Sequence, residues 1–315
     1  MLRPFSSCLI ACLCSLVFVA PLAGCGGGTK KRAVMTIAER LQKARGDATP
    51  GGTAREMAKV ARLQFASGDK TGAITTLSEA RRTIKKDADA TIFAPRLVDI
   101  ADAYADLADK KSAREAIDQA VTMADRIPDA VGRADVLAKA GGIYGAKEGG
   151  LGDATLAKKT LAQAAAVAES DEVSDRFRPQ ALAAVALGYA NANLTGDARE
   201  ILEKLETTAS SLEDLRPKAE ALAAAANVYA KSGSQDKAAA LLSQAAEAAK
   251  GIDGAANRAF ALVAVGNVMN AVGDRKGAAT LAAEAEKSAG IIADPEQQKD
   301  ALQAVRVLEA AAAKG

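Results

Sequence analysis

The residues best suited to nucleophilic or metal chemistry are nearly missing from this chain. Of its 315 residues none is histidine or tryptophan, and the four cysteines are Cys8, Cys12, Cys14 and Cys25. Zinc sites of Cys or His, His-held haem, and Ser–His or Cys–His nucleophile pairs are therefore excluded beyond residue 25. Gly149-Gly150-Leu151-Gly152 has the glycines of a phosphate loop. It follows a helical pattern rather than a strand, and lacks both the full spacing and the Lys-Ser/Thr that hold phosphate and magnesium. The stretch Asp171-Glu172 to Asp175 offers oxygen ligands, but without a loop glycine or EF-hand spacing, so helix capping is its expected use. No pair of carboxylates stands out from solvated charge. The expectation is a protein with no catalytic residue, no metal and no cofactor.

Lys+Arg total 41 against Asp+Glu 39, a net charge of +2, too balanced for a nucleic-acid surface. The charge at the start of the chain is different in kind. Arg3 precedes an apolar run from Cys8 to Ala20, and Leu22-Ala23-Gly24-Cys25 follows. A positive start, an apolar core and small residues before a cleavage point make a secretory signal. The apolar run is shorter than the ~20 residues of a spanning helix. An ordinary signal peptide and an uncleaved anchor helix are the competing readings. The final four residues resemble the lipobox of bacterial lipoproteins. That resemblance implies cleavage after residue 24, diacylglyceryl attachment to the Cys25 thiol and acylation of the new amine, which supplies the several chains stable anchoring needs. Residues 25–32 would then be the lipidated Cys and a flexible tether, Gly26-Gly27-Gly28 followed by Lys30-Lys31-Arg32. Gly26, where an Asp would favour the inner membrane in enteric bacteria, points the resemblance to the outer one, facing the periplasm.

The elements that must carry any function come from a repeat. Tyr104, Tyr144, Tyr189, Tyr229 and Met269, with Phe65 extending the row, are spaced by 39, 40, 45, 40 and 40 residues. Leu97, Leu137, Leu182, Leu222 and Leu262 stand seven residues before five of them, with small or apolar residues between at +3 and +4, one face of a helix A. Nine residues after the aromatic place comes Ala113, Ala198, Ala238 or Ala278, eight after Phe65 comes Ala73, and thirteen after Tyr144 comes Ala157. Each opens a second stripe at 0, +4, +7 and +11, a helix B. Turn signals such as Gly68-Asp69 and Gly273-Asp274 leave room only for an antiparallel hairpin. Such a hairpin cannot bury its second apolar face alone, so copies must stack, with alanines at the A–B contact and leucine and tyrosine filling the gap to the next hairpin.

These residues resemble the tetratricopeptide repeat (TPR), as in Leu222, Ala225, Ala226, Tyr229, Ala238, Leu242 and Ala245. The period departs from that family, at about 40 rather than 34. The fold class expected is an all-α, TPR-like α-solenoid over residues 33–315, with repeats near 54–87, 88–128, 129–172, 173–213, 214–253 and 254–294. Residues 295–314 form a capping helix, in which Arg306 and Glu309 replace the small residue and the tyrosine. Residues 33–45 form a further helix ahead of the first repeat, broken by Pro50-Gly51-Gly52.

Two sets of side chains are candidates for recognition. Arg133, Arg178, Lys218 and Arg258 recur eleven residues before the aromatic. They are read as an edge column, as ion pairs to Asp129, Asp214 and Asp253, or as cover for the apolar seam. The TPR resemblance implies a groove built from helix A positions two before and one or two after the tyrosine: Asp102, Leu187, Asn191, Asn227, Lys231, Asn267 and Asn270. Asparagine offers a donor and an acceptor to an extended peptide. The places of a carboxylate clamp hold Ala184, Ala224 and Ala264, so no clamp is expected. The function expected is a lipid-anchored, non-catalytic scaffold that binds a protein or peptide. A self-associating structural envelope protein and a small-ligand or glycan receptor are the alternatives, the latter disfavoured by 3% aromatic residues.

Overall fold

A computed structural model of the chain describes residues 35–47, 49, 51–85 and 88–313, so the signal, the Cys25 attachment and the tether lie outside the described residues. Thr36–Gly315 is one compact unit. Among the described residues it holds fourteen α-helices and no strand. The lone α1 (Ile37–Arg45) is followed by six hairpins: α2/α3 (Gly52–Ala66, Lys70–Arg82), α4/α5 (Ala90–Asp106, Lys110–Ala124), α6/α7 (Ala130–Gly145, Ala154–Glu169), α8/α9 (Arg178–Asn191, Thr195–Ser211), α10/α11 (Leu215–Lys231, Gln235–Lys250) and α12/α13 (Ala255–Ala271, Arg275–Gly290). The chain ends on α14 (Pro295–Ala312). Each helix packs on its hairpin mate and on its neighbours in the adjoining hairpins, which makes the protein an all-α solenoid.

Local chemistry sets the helix ends. Aspartates cap eight helices, each accepting a hydrogen bond from a first-turn amide: Asp69, Asp89, Asp109, Asp129, Asp153, Asp214, Asp274 and Asp294. Between A and B the chain reverses through one left-handed residue, Gly68, Gly233 or Gly273, and at the same place Ala108 and Asn193 adopt φ of 58° and 60°. The B-helix cap amide then donates to the carbonyl at the aromatic place, as Asp109 does to Tyr104 O at 3.0 Å and Ser234 to Tyr229 O at 2.9 Å.

That hydrogen bond corrects the register of the first repeat. Asp69 donates to Gln64 O, not to Phe65. Gln64 therefore holds the tyrosine place and is 9% exposed, while Phe65 is 39% exposed. With Gln64 in the row the first spacing becomes 40, Ala73 falls nine residues on, and buried Met57 takes the leucine place. Turn geometry, not aromatic character, assigns the place. Gln64 Oε1 is buried with no hydrogen-bond partner. Such an oxygen costs about 1–3 kcal/mol, so Gln64→Leu is expected to raise the unfolding free energy by roughly 1 kcal/mol in urea titrations. A loss of stability would argue that the amide has a hidden partner.

Tyrosine direction is also corrected. The hydroxyls reach back to the preceding hairpin: Tyr144 Oη donates to Asp118 of α5 at 2.5 Å, and Tyr229 Oη donates to Glu206 of α9. Burial and the Asp118 hydrogen bond push the Tyr144 phenol well above its ordinary value. The Leu row and the +11 alanines Ala124, Ala168, Ala209, Ala249 and Ala289 are buried as expected.

Every member of the basic column donates to backbone carbonyls, a use outside the three readings, and Arg133 and Arg178 also form ion pairs, though with Glu172 and Asp175. Arg133 Nη1 donates to Ile127 O and Arg258 Nη1 to Ile252 O, both at 3.0 Å. Lys218 reaches Ser210 O and Leu212 O, and Arg178 reaches Ser170 O and Val173 O. Thr53 and Gln298 do the same at the first hairpin and at α14. These side chains donate to carbonyls at or just after the ends of α1, α5, α7, α9, α11 and α13, which outweighs the unfavourable dipole at the start of helix A. Asp129 and Asp214, the proposed acid partners, cap α6 and α10 instead. Nor does the Asp171–Asp175 stretch cap a helix: the N-cap of α8 is Phe177, with no side-chain cap, while Glu172 and Asp175 pair with Arg133 and Arg178.

Neighbouring B helices are laced by ion pairs the sequence did not reveal, including Arg45–Glu79, Arg81–Glu115, Arg114–Asp153, Lys204–Glu169, Lys237–Glu206 and Lys250–Glu284. All are partly exposed, so each contributes little alone. At the C-terminal end Val305 and Leu308 of α14 are buried while Arg306 and Glu309 face solvent, a polar closing face. At the other end α1 starts at the capping box Thr36/Glu39, later than residue 33. No helix among the described residues is long and apolar enough to cross a membrane.

Candidate functional site

Three of the groove residues meet in one place. Asp102 of α4 and Leu187 and Asn191 of α8 line a cleft of about 540 Å³ with Val98, Asp99 and Asp106 of α4 and Lys139, Gly142 and Ile143 of α6. Glu148 and Gly149, from the turn after α6, close one side. The stacking of α4, α6 and α8 is what brings together residues up to 93 positions apart.

Glycine shapes the floor. Gly142 stands two residues before Tyr144, the place Asp102 holds before Tyr104, and a Cβ there would lie 3.3 Å from Asn191 Cβ. Gly141, Gly145 and Gly188 let α6 approach both α7 and α8 closely. The glycine loop has a structural use: Leu151 N donates to Ile143 O, Gly152 N to Ala146 O and Asp153 N to Tyr144 O, so extra residues are folded back over the end of α6. It supplies four of the five residues that stretch this repeat, the fifth lying between α7 and α8.

Charge in the cleft is mixed. Arg62 of α2 bridges Asp102 at 2.5 Å and Asp106 at 3.2 Å, and Arg96 pairs with Asp99 at 2.7 Å. Lys139 pairs with Asp135 at 2.7 Å. Arg62 was missed because of the first-repeat register; two residues before Gln64, it belongs to the same row as Asp102. Burial, reinforced by Asp106 and Asp99, raises the Asp102 carboxyl above its ordinary value despite Arg62. A raised folded-state value means the native state holds the Asp102 proton more tightly, so this group favours folding at low pH and loses that contribution as pH rises through its folded value. Asp102→Asn is therefore expected to be more stable than the parent at neutral pH, with the difference closing below the ordinary carboxylate range. Thermal melts across pH check this, and a difference that grows on acidification would contradict it.

The remaining groove residues fall outside this cleft, on α10 and α12. Asn227 is half-buried, and Lys231 and Asn267 are exposed. Asn270 is half-buried, with its Oδ1 enclosed and unpartnered. The inner row thus changes along the chain, from Arg62 and Asp102 through Gly142 and Leu187 to Asn227 and Asn267. Ala184, Ala224 and Ala264 lie beside it and leave the later helices uncharged there.

Fold and cleft together define a class: an all-α repeat solenoid with a solvent-open cleft between its helices α4, α6 and α8. No family model and no curated relative matches the chain. Among solved structures it is similar to Ton1535 from Thermococcus onnurineus NA1, at 14% identity and a TM-score of 0.40, over 84% of this chain and 94% of that one. It is also similar to NprR, solved in complex with its cognate peptide NprX, at 16% identity and a TM-score of 0.31, over 86% of this chain and 76% of that one.

Proposed function

We propose that the chain is a non-catalytic scaffold that binds an extended segment of another protein in the cleft between α4, α6 and α8. The single observation behind this reading is the convergence of Asp102, Leu187 and Asn191 in an open cleft of about 540 Å³. Val98, Ile143 and Leu187 offer apolar contact for a side chain, and Asn191 offers both a donor and an acceptor. The repeat is read as TPR-like on the strength of the Leu, small residue, Tyr and Ala places. The lipobox-like Leu22-Ala23-Gly24-Cys25 supports a mature protein that begins at a lipidated Cys25, held at a bacterial membrane, the outer one by preference, on its extracytoplasmic side.

Pull-down from solubilised membranes tests the cleft. A protein captured by the parent chain and lost from Asp102→Ala with Asn191→Ala supports it, provided Asn267→Ala retains capture. Equal capture by all three overturns the cleft reading. The anchor is tested apart: Cys25→Ser is expected to release the protein from membranes and abolish incorporation of labelled fatty acid, and retention of label would place the lipid elsewhere.

A further inference from the structure

The tyrosines that reach back between successive B helices carry a cation over the ring. In the gap between α5 and α7, Arg114 lies 5.8 Å from the Tyr144 ring centroid and donates to Asp153 Oδ2 at 2.8 Å. Asp153 is also the cap of α7, its Oδ1 accepting from Leu156 N at 3.0 Å. In the gap between α9 and α11, Lys237 lies 4.3 Å from the Tyr229 ring centroid and pairs with Glu206 at 2.9 Å. Each of these gaps is closed by a ring, a cation and a carboxylate of the chain itself.

The gap between α11 and α13 keeps only the carboxylate. Met269 stands at the ring place, Ala239 at the place of Arg114 and Gly277 at the place of Lys237. Ser243 and Ala246 stand where Asp118 and Glu206 receive the tyrosine hydroxyls. Asp274 caps α13 as Asp153 caps α7, its Oδ1 accepting from Gly277 N at 2.8 Å. These exchanges open a groove of about 540 Å³, lined by Asp236, Ala239, Ser243, Ala246, Met269 and Asp274 among others. That volume falls within the ~300–1,000 Å³ usual for small-molecule sites. Lys250, also in the lining, pairs with Glu247 at 3.0 Å and with Glu284 at 3.6 Å. The carboxylates of Asp236 and Asp274 therefore leave the groove anionic.

We propose that this groove binds a small arylalkylamine, a molecule whose aromatic ring and ammonium group supply the ring and the cation that the chain provides in the other two gaps. The ring lies against Met269, whose polarisable sulfur makes favourable contact with aromatic groups. The ammonium pairs with Asp274 Oδ2, as Arg114 pairs with Asp153 Oδ2, while Oδ1 goes on capping the helix. Asp236 adds a second carboxylate beside it. The site belongs to α11, α12 and α13, so it stands or falls separately from the cleft between α4, α6 and α8.

Calorimetric titration of the full chain with tyramine decides it. Saturable binding of one molecule per chain is expected, and none of 4-hydroxyphenylacetate, which carries a carboxylate on the same ring. Met269→Tyr combined with Ala239→Arg restores the chain's own ring and cation, and is expected to abolish tyramine binding. Asp274→Asn keeps a capping side chain and so keeps the fold, yet is expected to weaken binding about tenfold or more through loss of the charge. Asp102→Ala with Asn191→Ala, in the other cleft, is expected to leave it unchanged. Circular dichroism confirms that each variant is folded. Absence of saturable tyramine binding, equal binding of the two probes, or binding unaltered by the double substitution or by Asp274→Asn would each overturn the proposal. A chain that ignores tyramine but captures a tyrosine–arginine peptide through these residues would assign the groove to a protein partner instead, which also overturns it.

Discussion

Gly188→Val is expected to cost about 3 kcal/mol or more of unfolding free energy, at the upper end of what overpacking a tight interior does. A Cβ at Gly188 would lie 2.5 Å from the Ala138 carbonyl oxygen and 2.6 Å from Leu161 Cδ2. Leu161 could in principle change rotamer. The Ala138 carbonyl belongs to the backbone of α6 and cannot move without shifting that helix. The helix-propensity gain on replacing glycine, up to ~1 kcal/mol, is therefore outweighed. Position matters as much as magnitude. In a stacked array each hairpin is stabilised by its neighbours, so weakening the α6–α8 contact separates the first three hairpins from the rest. Urea unfolding followed by circular dichroism is expected to change from one transition to two. Gly196→Ala, in α9 with nothing within 4 Å of the added carbon, is the control and is expected to leave stability unchanged or slightly higher. A Gly188→Val protein within about 1 kcal/mol of the parent would mean that the helices are not held this close.

The second large effect is at Leu161 itself, where truncation to alanine is expected to cost about 3 kcal/mol, the usual range for a buried leucine being ~2–5. Leu161 is fully buried in α7 and touches the places of both Gly141 and Gly188. The informative experiment is the cycle with Gly141→Ala. A Cβ at Gly141 would lie 2.5 Å from Leu161 Cγ, and its three nearest atoms all belong to that side chain. Gly141→Ala alone is expected to destabilise by overpacking, yet in the Leu161→Ala background the new methyl enters the cavity left behind. The double variant should then be more stable than the sum of the single effects predicts, by roughly 1–3 kcal/mol of coupling. Strict additivity would refute the contact. Small residues on helix A would then need another explanation than the close approach of helix B.

Those glycines also show how much was legible beforehand. Gly141 and Gly145 are visible in the sequence as departures from an otherwise alanine-rich helix, and glycine inside a helix signals close backbone approach. Which backbone approaches is not visible. The same holds for Arg133 and Arg258. Their recurrence every 40 residues or so is plain in the sequence, but their acceptors are carbonyls six positions back, whose orientation depends on how each helix B ends. In the cleft, Asp102 and Asn191 were found by their distance from a tyrosine. Arg62 was not, because a phenylalanine one residue away from the true place attracted the alignment.

By itself the sequence determined the helices, the stacking order and the apolar seam, because all three follow from local periodicity: residues three, four and seven apart share a helix face whatever the rest of the chain does. Only the tertiary structure decided the register of the first hairpin, the backward reach of the tyrosines and the meeting of α4, α6 and α8 around the cleft. Those are relations between side chains some forty or more positions apart, governed by interhelix distance, and a single glycine in the contact alters that distance by more than the repeat pattern can record.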